Sequence, residues 1–263
     1  MKNIYLLTLS PLLLLACNSA HHSENQSPIP DTLVYHYNTF LLQSKHVVEN
    51  DGKKDTTYFK TVYPIFDVQA INEIITQEVI ADTAHHTIEE EGKAFITSFD
   101  DFIKMDEYPR AWYSETHIRV IQNTPNYLAL ATEVSDYTGG AHGNYATLFF
   151  NYNPVDKDSI GLSQIIGSKQ YLHLTGIAEE VFRKQEGLTP EQPLDDNYFF
   201  EENTFHLPAN FTLTSNGILF LYNIYEIKPY VSGITKLLIP YEKIDSLLTP
   251  QAKQIIEEIK HNE

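Results

Sequence analysis

Residues 127–152, YLALATEVSDYTGGAHGNYATLFFNY, contain two strand patterns and the glycine-rich turn that joins them, and the rest of the predicted fold is arranged around them. Side chains on both sides of the glycines alternate with a period of two, which is the signal of β-strands. Gly139 and Gly140 lack a Cβ and tolerate the positive φ that a tight turn between twisted strands needs. The segment therefore predicts an antiparallel hairpin, and both faces of its second strand are apolar enough to be covered.

The turn carries the first candidate functional residues. They are Asp136, Tyr137, Gly139, Gly140 and His142. An imidazole between glycines and near a carboxylate is a candidate base or ligand. The alternative is a histidine that hydrogen-bonds the neighbouring backbone and fixes the loop, which we favour because spacing places no further group beside it. We therefore expect no catalytic residue, no metal site and no cofactor.

The start of the chain predicts a targeting signal rather than a folded element. Lys2 precedes an apolar run that ends at Ala16, and this run is shorter than the ~20 residues of a membrane-spanning helix. Residues 1–16 are therefore predicted to be a signal peptide. Residues 14–17, Leu-Leu-Ala-Cys, resemble the lipobox of bacterial lipoproteins. The resemblance implies a lipidated (palmitate-bearing) Cys17 and an extracytoplasmic protein anchored to the inner or outer membrane of the cell envelope.

Composition excludes several classes of function. Cys17 is the only cysteine, so lipidation of its thiol leaves none for a disulfide, a zinc–thiolate site or cysteine catalysis. Residues 17–30 are polar, contain two prolines and are predicted to be a flexible tether. The formal net charge of −17 favours cationic partners, and the lack of a basic stripe makes nucleic-acid binding unexpected.

The rest of the chain predicts an α+β fold, an antiparallel sheet with two main helices packed on it and short C-terminal helices. The first helix is expected from Val68 to about Glu91, with Asp67 as its N-cap and Gly92 as its break. A second is expected to start at an N-cap, Ser168, and to end near Gly187. Residues 111–152 are predicted to form an antiparallel meander. Thr249 and Pro250 mark the start of a C-terminal helix over residues 249–263.

A second motif lies at residues 225–233, Tyr-Glu-Ile-Lys-Pro-Tyr-Val-Ser-Gly, and supplies the candidates Tyr225, Glu226, Tyr230 and Gly233. Together with the motif at 137–142 and Ile-Pro-Tyr at 239–241, it resembles the RsiV-like extracellular domain family, the paired domains of unknown function numbered 4163 and 3298. The resemblance covers roughly residues 33–248. It implies an α+β domain in two adjoining parts, assigned to residues 31–155 and 156–248.

The family resemblance also sets expectations for function. RsiV-like domains occur in an anti-sigma factor that senses lysozyme and in the non-catalytic part of a peptidoglycan deacetylase. We expect neither the sigma-binding segment nor the transmembrane helix of the former, and no appended deacetylase domain.

Three functions are weighed on this basis. The first is a non-enzymatic binding module for a lysozyme-like cationic protein or a peptidoglycan-related cell-wall component. The second is a cell-wall-directed hydrolase, or an accessory to one, in which Asp136, Glu226 and His142 do acid–base work. The third is a structural lipoprotein without a specific ligand. Clustering of the three ionisable groups in one cleft would favour the enzyme, whereas a broad acidic or aromatic surface would favour binding.

Overall fold

The computed structural model describes residues 33–50, 52–80, 84–106 and 108–262. The predicted signal peptide, the tether and Cys17 lie outside these residues. Within them the chain folds into two β-sheets and several helices, which confirms the predicted α+β class. Among the described residues, no helix has the length and apolar character that a membrane span requires.

The large sheet contains the predicted hairpin as its fourth and fifth strands. Its strands are β1 (Tyr35–Asn50), β2 (Lys53–Phe66), β3 (Tyr113–Thr124), β4 (Tyr127–Tyr137), β5 (Asn144–Asn153) and β6 (Asp158–Ser159), and they neighbour one another in this order. Strands β3, β4 and β5 form the predicted antiparallel meander. One pair departs from the antiparallel pattern, because β2 and β3 run parallel. A parallel pair needs a long crossover, which two helices between these strands supply.

The crossover helices, α1 (Gln69–Val79) and α2 (Ile88–Phe102), cover one face of the large sheet. Side chains from both helices and the sheet bury one another there, among them Ile71, Ile75, Phe59, Ile118 and Leu130. We call the covered face the helix face and the opposite one the open face.

The first helical prediction was wrong in three details. The pattern from Val68 onward forms two helices, and the N-cap of α1 is Val68 rather than Asp67. Gly92 lies inside α2 instead of breaking it. Its role is steric, because a Cβ there would lie 2.9 Å from the ring of Phe40 and 3.0 Å from the ring of Phe59.

The second sheet contains the antiparallel strands β7 (Phe211–Leu213), β8 (Gly217–Tyr222) and β9 (Thr235–Pro240). Around it lie α3 (Leu162–Ile165), α4 (Tyr171–Glu186), α5 (Tyr241–Ile244) and α6 (Pro250–Asn262). Helix α4 ends at Gly187, as predicted, with a φ of 70°. Ser168 does not cap it, because residues Ser168–Gln170 form a separate 3-10 turn. Helix α4 packs on β9, so it covers the second sheet rather than the hairpin.

The two sheets are joined through the buried end of the hairpin. Tyr127 is fully buried, and its hydroxyl donates to Asn151 Oδ1 at 2.5 Å and accepts from the amide of Leu213 at 2.9 Å. The Thr212 hydroxyl lies 3.0 Å from the same oxygen. Burial raises the pKa of Tyr127 well above its usual range. The phenol therefore connects β4, β5 and β7 as a neutral group.

Strand β6 pairs only with the end of β5, and at Thr147 and Phe149 the edge of β5 is closed by side chains instead of a strand. The amide of Asn210 pairs with the backbone N–H of Phe149 at 2.8 Å and the carbonyl of Thr147 at 2.7 Å. Asn223 makes the same kind of pairing with Thr147, accepting from its N–H at 2.8 Å. The expectation that β5 is covered on both faces fails for its first half, where Tyr145 and Leu148 are exposed.

Candidate functional site

The two predicted motifs meet at the exposed end of the hairpin. The imidazole of His142 stacks on the ring of Tyr230, with centroids 3.9 Å apart and planes 23° from parallel. Its Nε2 lies 3.4 Å from the hydroxyl of Tyr225, and its Nδ1 lies 3.0 Å from the carbonyl oxygen of Gly143. Residues 83 positions apart in the chain therefore form one constellation.

Tyr145 completes what we call the aromatic cluster, which consists of His142, Tyr145, Tyr225 and Tyr230. The ring of Tyr145 meets that of Tyr230 edge-on at 5.9 Å, and the Tyr225 ring lies 5.7 Å from Tyr230. Tyr225 is 52% exposed and Tyr145 37% exposed, so the cluster is a surface rather than a core. Aromatic side chains held in fixed positions at a surface are typical of recognition sites.

A tight turn holds Tyr225 in place. The N–H of Glu226 donates to the carbonyl of Asn223 at 3.2 Å, and the Glu226 carboxylate accepts from the N–H of Asn223 at 2.9 Å. Tyr225 consequently takes a left-handed φ of 64°, which is uncommon for a bulky residue and is associated with functional sites. Glu226 thus stabilises the turn through this hydrogen bond. Gly233, with a φ of 68°, ends the second motif and lies beside the hydroxyl of Tyr145.

The glycine loop is shaped by both conformation and space. Gly139 and Gly140 have φ values of 104° and 97°, as the hairpin prediction requires. The hydroxyl of Tyr137 donates to the carbonyl of Gly140 at 3.0 Å. Gly143 is constrained by sterics, because a Cβ there would lie 2.6 Å from the carbonyl oxygen of Asp136. The loop therefore has a defined conformation, and this conformation sets the position of His142.

The aromatic cluster borders a polar depression on the open face of the large sheet. Strand register places Lys60, Glu115, Ser135 and Tyr145 in one cross-strand row. The next row contains Val62, His117, Glu133 and Thr147. Together these rows line an open depression of about 410 Å³. We call Lys60, Glu115, His117 and Glu133 the polar floor.

Each carboxylate of the polar floor is neutralised by a cation, either within the floor or, for Glu133, by the adjacent Arg119. Lys60 lies 3.3 Å from Glu115, and Arg119 lies 2.6 Å from Glu133. The hydrogen bond from Arg119, followed by its charge, lowers the pKa of Glu133 in spite of partial burial. His117 lies 4.0 Å from the same carboxylate. The floor therefore offers donors and acceptors with little net charge.

A row of three tyrosines borders the polar floor on a second side, and we call it the tyrosine row. Tyr58, Tyr113 and Tyr137 are cross-strand neighbours, with centroid separations of 6.1 and 6.2 Å. Burial, and then the nearby Glu115 carboxylate, raise the pKa of Tyr58. The row connects the floor to the glycine loop through Tyr137.

The structure does not assemble the three ionisable candidates into a catalytic group. Within the described residues, no hydrogen bond or ion pair joins Asp136, His142 and Glu226 to one another. His142 is engaged by Tyr230 and Tyr225, while Glu226 binds a backbone N–H. The part of the chain that the structure describes also contains no group of three or more metal-ligating side chains.

Sequence reasoning found both motifs but missed the floor beside them. Tyr137, His142, Tyr225 and Tyr230 were predicted candidates and now contribute to one surface. The missed residues are Tyr58, Lys60, Tyr113, Glu115, His117, Glu133 and Tyr145. The sequence does carry a signal for them, because tyrosines and charged residues occur at alternate positions of β2, β3 and β4. It does not show that these positions share one face of the sheet, because that depends on the pairing of β2 with β3, which no local pattern predicts.

Comparisons with protein families divide the chain into two matched segments. A family model described as a protein of unknown function (DUF3298) matches residues 166–242. A family model described as Deacetylase PdaC matches residues 51–145. No curated protein matches the chain significantly.

Two solved structures with a similar fold are described as members of the DUF3298 family. A crystal structure of a family member from Bacteroides fragilis is similar with a TM-score of 0.69 and 21% identity, over 88% of this chain and 99% of that one. A family protein from Pseudomonas aeruginosa PAO1 gives a TM-score of 0.60 at 18% identity, over 86% and 97% of the two chains. At these identities the likeness establishes the fold.

Proposed function

We propose that this protein is an envelope lipoprotein, anchored to a bacterial membrane through Cys17, that binds an extracytoplasmic ligand without transforming it. The ligand site in this proposal is the aromatic cluster together with the polar floor. The anchor rests on the lipobox resemblance of residues 14–17.

The meeting of two distant motifs in one exposed aromatic cluster carries the proposal. Burying aromatic side chains is what normally stabilises a fold, yet His142, Tyr145 and Tyr225 are held at the surface. Each ring is fixed by a neighbour, so little conformational entropy is lost when a ligand covers it. Preorganised, exposed aromatics beside hydrogen-bonding side chains favour binding.

The RsiV-like identification belongs to this proposal. The DUF3298 and PdaC matches support it as far as their two segments reach. The candidate ligands are a lysozyme-like cationic protein, which the net charge of −17 would attract, and a cell-wall component.

The second candidate function is a cell-wall-directed hydrolase or an accessory to one. The name of the deacetylase family that matches residues 51–145 favours it. The separate engagements of His142 and Glu226 count against acid–base catalysis at this site.

The binding proposal is tested with two variants at Tyr230. Tyr230→Ala removes the ring on which His142 stacks, whereas Tyr230→Phe keeps the ring and loses only the hydrogen bond to the Gly143 carbonyl. We expect saturable binding of lysozyme or of purified peptidoglycan by the wild type at low salt. Tyr230→Ala should abolish it and Tyr230→Phe should largely retain it. The absence of saturable binding of both probes would overturn the proposal.

The anchor is tested separately by fractionating cells that express the wild type or Cys17→Ser. The wild type should incorporate labelled palmitate and sediment with membranes. The variant should do neither, and palmitate labelling of Cys17→Ser would refute the assignment.

A further inference from the structure

We infer that the ligand of the open face is an uncharged glycan chain, whose sugar rings pack against the aromatic cluster and whose hydroxyl groups hydrogen-bond the polar floor. This inference rests on the proposed function and narrows it to one chemical class.

The charge arrangement selects an uncharged ligand. Each floor carboxylate already has a cationic partner, Lys60 for Glu115 and Arg119 for Glu133. A cationic ligand would have to displace these partners, and an anionic ligand would meet a protein of net charge −17. Paired charges nonetheless retain free donor and acceptor positions, which suit hydroxyl and amide groups.

The aromatic arrangement selects a ligand that is apolar on its faces and polar at its rim. The tyrosine row and the aromatic cluster border the polar floor on two neighbouring sides. A pyranose ring has this character, because its C–H groups form flat apolar faces while its hydroxyls project outward. Aromatic rings can cover such faces as the floor bonds the rim.

Recognition of an extended peptide by strand addition is disfavoured at this site. Strand addition needs free N–H and carbonyl groups along a sheet edge. The amides of Asn210 and Asn223 already occupy the β5 groups beside the cluster, at Thr147 and Phe149. A ligand on the open face must therefore be bound by side chains, as a glycan is.

The test is calorimetric titration of the full-length chain in a detergent without a sugar headgroup. The probes are an N-acetylglucosamine tetramer, a glucose tetramer and lysozyme, each at low and at high salt. We expect saturable binding of at least one tetramer, with an affinity that salt leaves nearly unchanged, because screening weakens only ionic contacts.

Three variants locate the site. Tyr145→Ala removes a ring of the cluster and should weaken glycan binding about tenfold. Lys60→Met removes a floor donor without touching the rings and should also weaken binding. The control is Tyr171→Ala, since Tyr171 is 43% exposed, close to the 37% of Tyr145, but lies on α4. The Tyr171→Ala variant should bind the glycan tetramer with the same affinity as the wild type.

The outcomes separate this inference from the proposed function. Lysozyme binding that Tyr230→Ala abolishes, without binding of either tetramer, would overturn the glycan assignment and leave the binding module intact. Tetramer binding that Tyr145→Ala and Lys60→Met both leave unchanged would overturn the placement of the glycan on the open face. No binding of any probe would overturn both.

Discussion

The two ends of the β4–β5 hairpin use similar groups for opposite purposes. At one end Tyr127 is buried, with its hydroxyl shared among Asn151, Thr212 and Leu213. At the other end Tyr230 and Tyr225 also bond fixed partners, but Tyr225 and His142 face solvent. Both ends are ordered by hydrogen bonds between tyrosines and distant segments.

The difference between the ends lies in what surrounds the hydrogen bonds. In a dry interior, a lost partner leaves a polar group that water cannot reach, so the bond is essential for stability. At the surface water replaces a lost partner, so the bond contributes little to stability but still positions the ring. Substitutions at the buried end should therefore lower the free energy of unfolding, whereas substitutions at the exposed end should mainly weaken ligand binding.

Replacing a tyrosine by phenylalanine at each end should give two very different losses of stability. Tyr127→Phe removes a buried hydroxyl with several partners and should lower the free energy of unfolding by about 3 kcal/mol. Tyr230→Phe removes one hydrogen bond near solvent and should cost only about 0.5 kcal/mol. Urea denaturation of the two variants measures both values, and equal losses would contradict the comparison.

The second prediction concerns the hydrogen bonds of Glu258, which hold the turn at the buried end of the hairpin. Glu258 on α6 accepts hydrogen bonds from the Thr124 hydroxyl at 2.9 Å and from the backbone N–H of Asn126 at 3.0 Å, at the turn before Tyr127. Glu258→Ala removes this acceptor and should cost about 2.5 kcal/mol in thermal or chemical denaturation. Its exposed neighbour Glu257, paired with Lys260, provides the control, and Glu257→Ala should cost less than about 0.5 kcal/mol.

At the exposed end, the glycines of the loop are the exception, because their replacement should affect stability as well as binding, and Gly140 shows this most simply. Gly140 has a φ of 97°, and a Cβ added there would meet nothing within 4 Å, so valine at this position is strained by conformation alone. Gly140→Val should cost about 2 kcal/mol. Gly176, in α4, also faces open space but has an ordinary helical φ, so Gly176→Ala should instead stabilise by about 0.5 kcal/mol. An unchanged melting temperature for Gly140→Val would refute the loop geometry.

A smaller loss of stability should appear in alkaline solution, because of Tyr198, a buried tyrosine in the core around the second sheet. Burial, and then the hydrogen-bonded Glu186 carboxylate, raise the pKa of Tyr198 to about 12. An unfolded tyrosine loses its proton near pH 10, so the folded state holds more protons between roughly pH 10 and 12. Tyr198 should therefore contribute to a fall in the free energy of unfolding as pH rises through this window, and its own share should be about 1 kcal/mol at pH 11. Tyr198→Phe should flatten this part of the profile, and an unchanged slope would contradict the assignment.

Local signals predicted the elements that depend on local conformation. The hairpin, the positive φ at Gly140, the end of α4 at Gly187 and the start of α6 at Pro250 all follow from neighbouring residues. Gly92 was wrongly predicted to break the helix. A glycine is needed there because Phe40 and Phe59, which lie in strands earlier in the chain, leave no room for a Cβ. The parallel pairing of β2 with β3 is also long-range and escaped local reasoning.

The candidate site could be predicted in pieces but not as a surface. His142 and Tyr225 were found in separate motifs, and nothing in their sequence neighbourhoods indicates that they touch. The floor residues Lys60 and Glu115 resemble ordinary solvent-facing charges until strand register places them beside Tyr145. Roles were equally hidden, since Glu226 braces a backbone turn and does not join His142.

We propose that the exposed end of the hairpin binds a ligand and does not transform it. The direct measurement incubates the full-length chain with peptidoglycan fragments and follows both fragment binding and fragment mass, for the wild type and for His142→Ala. We predict that the wild type binds fragments and releases them with unchanged mass. Conversion of fragments by the wild type that is lost in a folded His142→Ala variant would contradict the account.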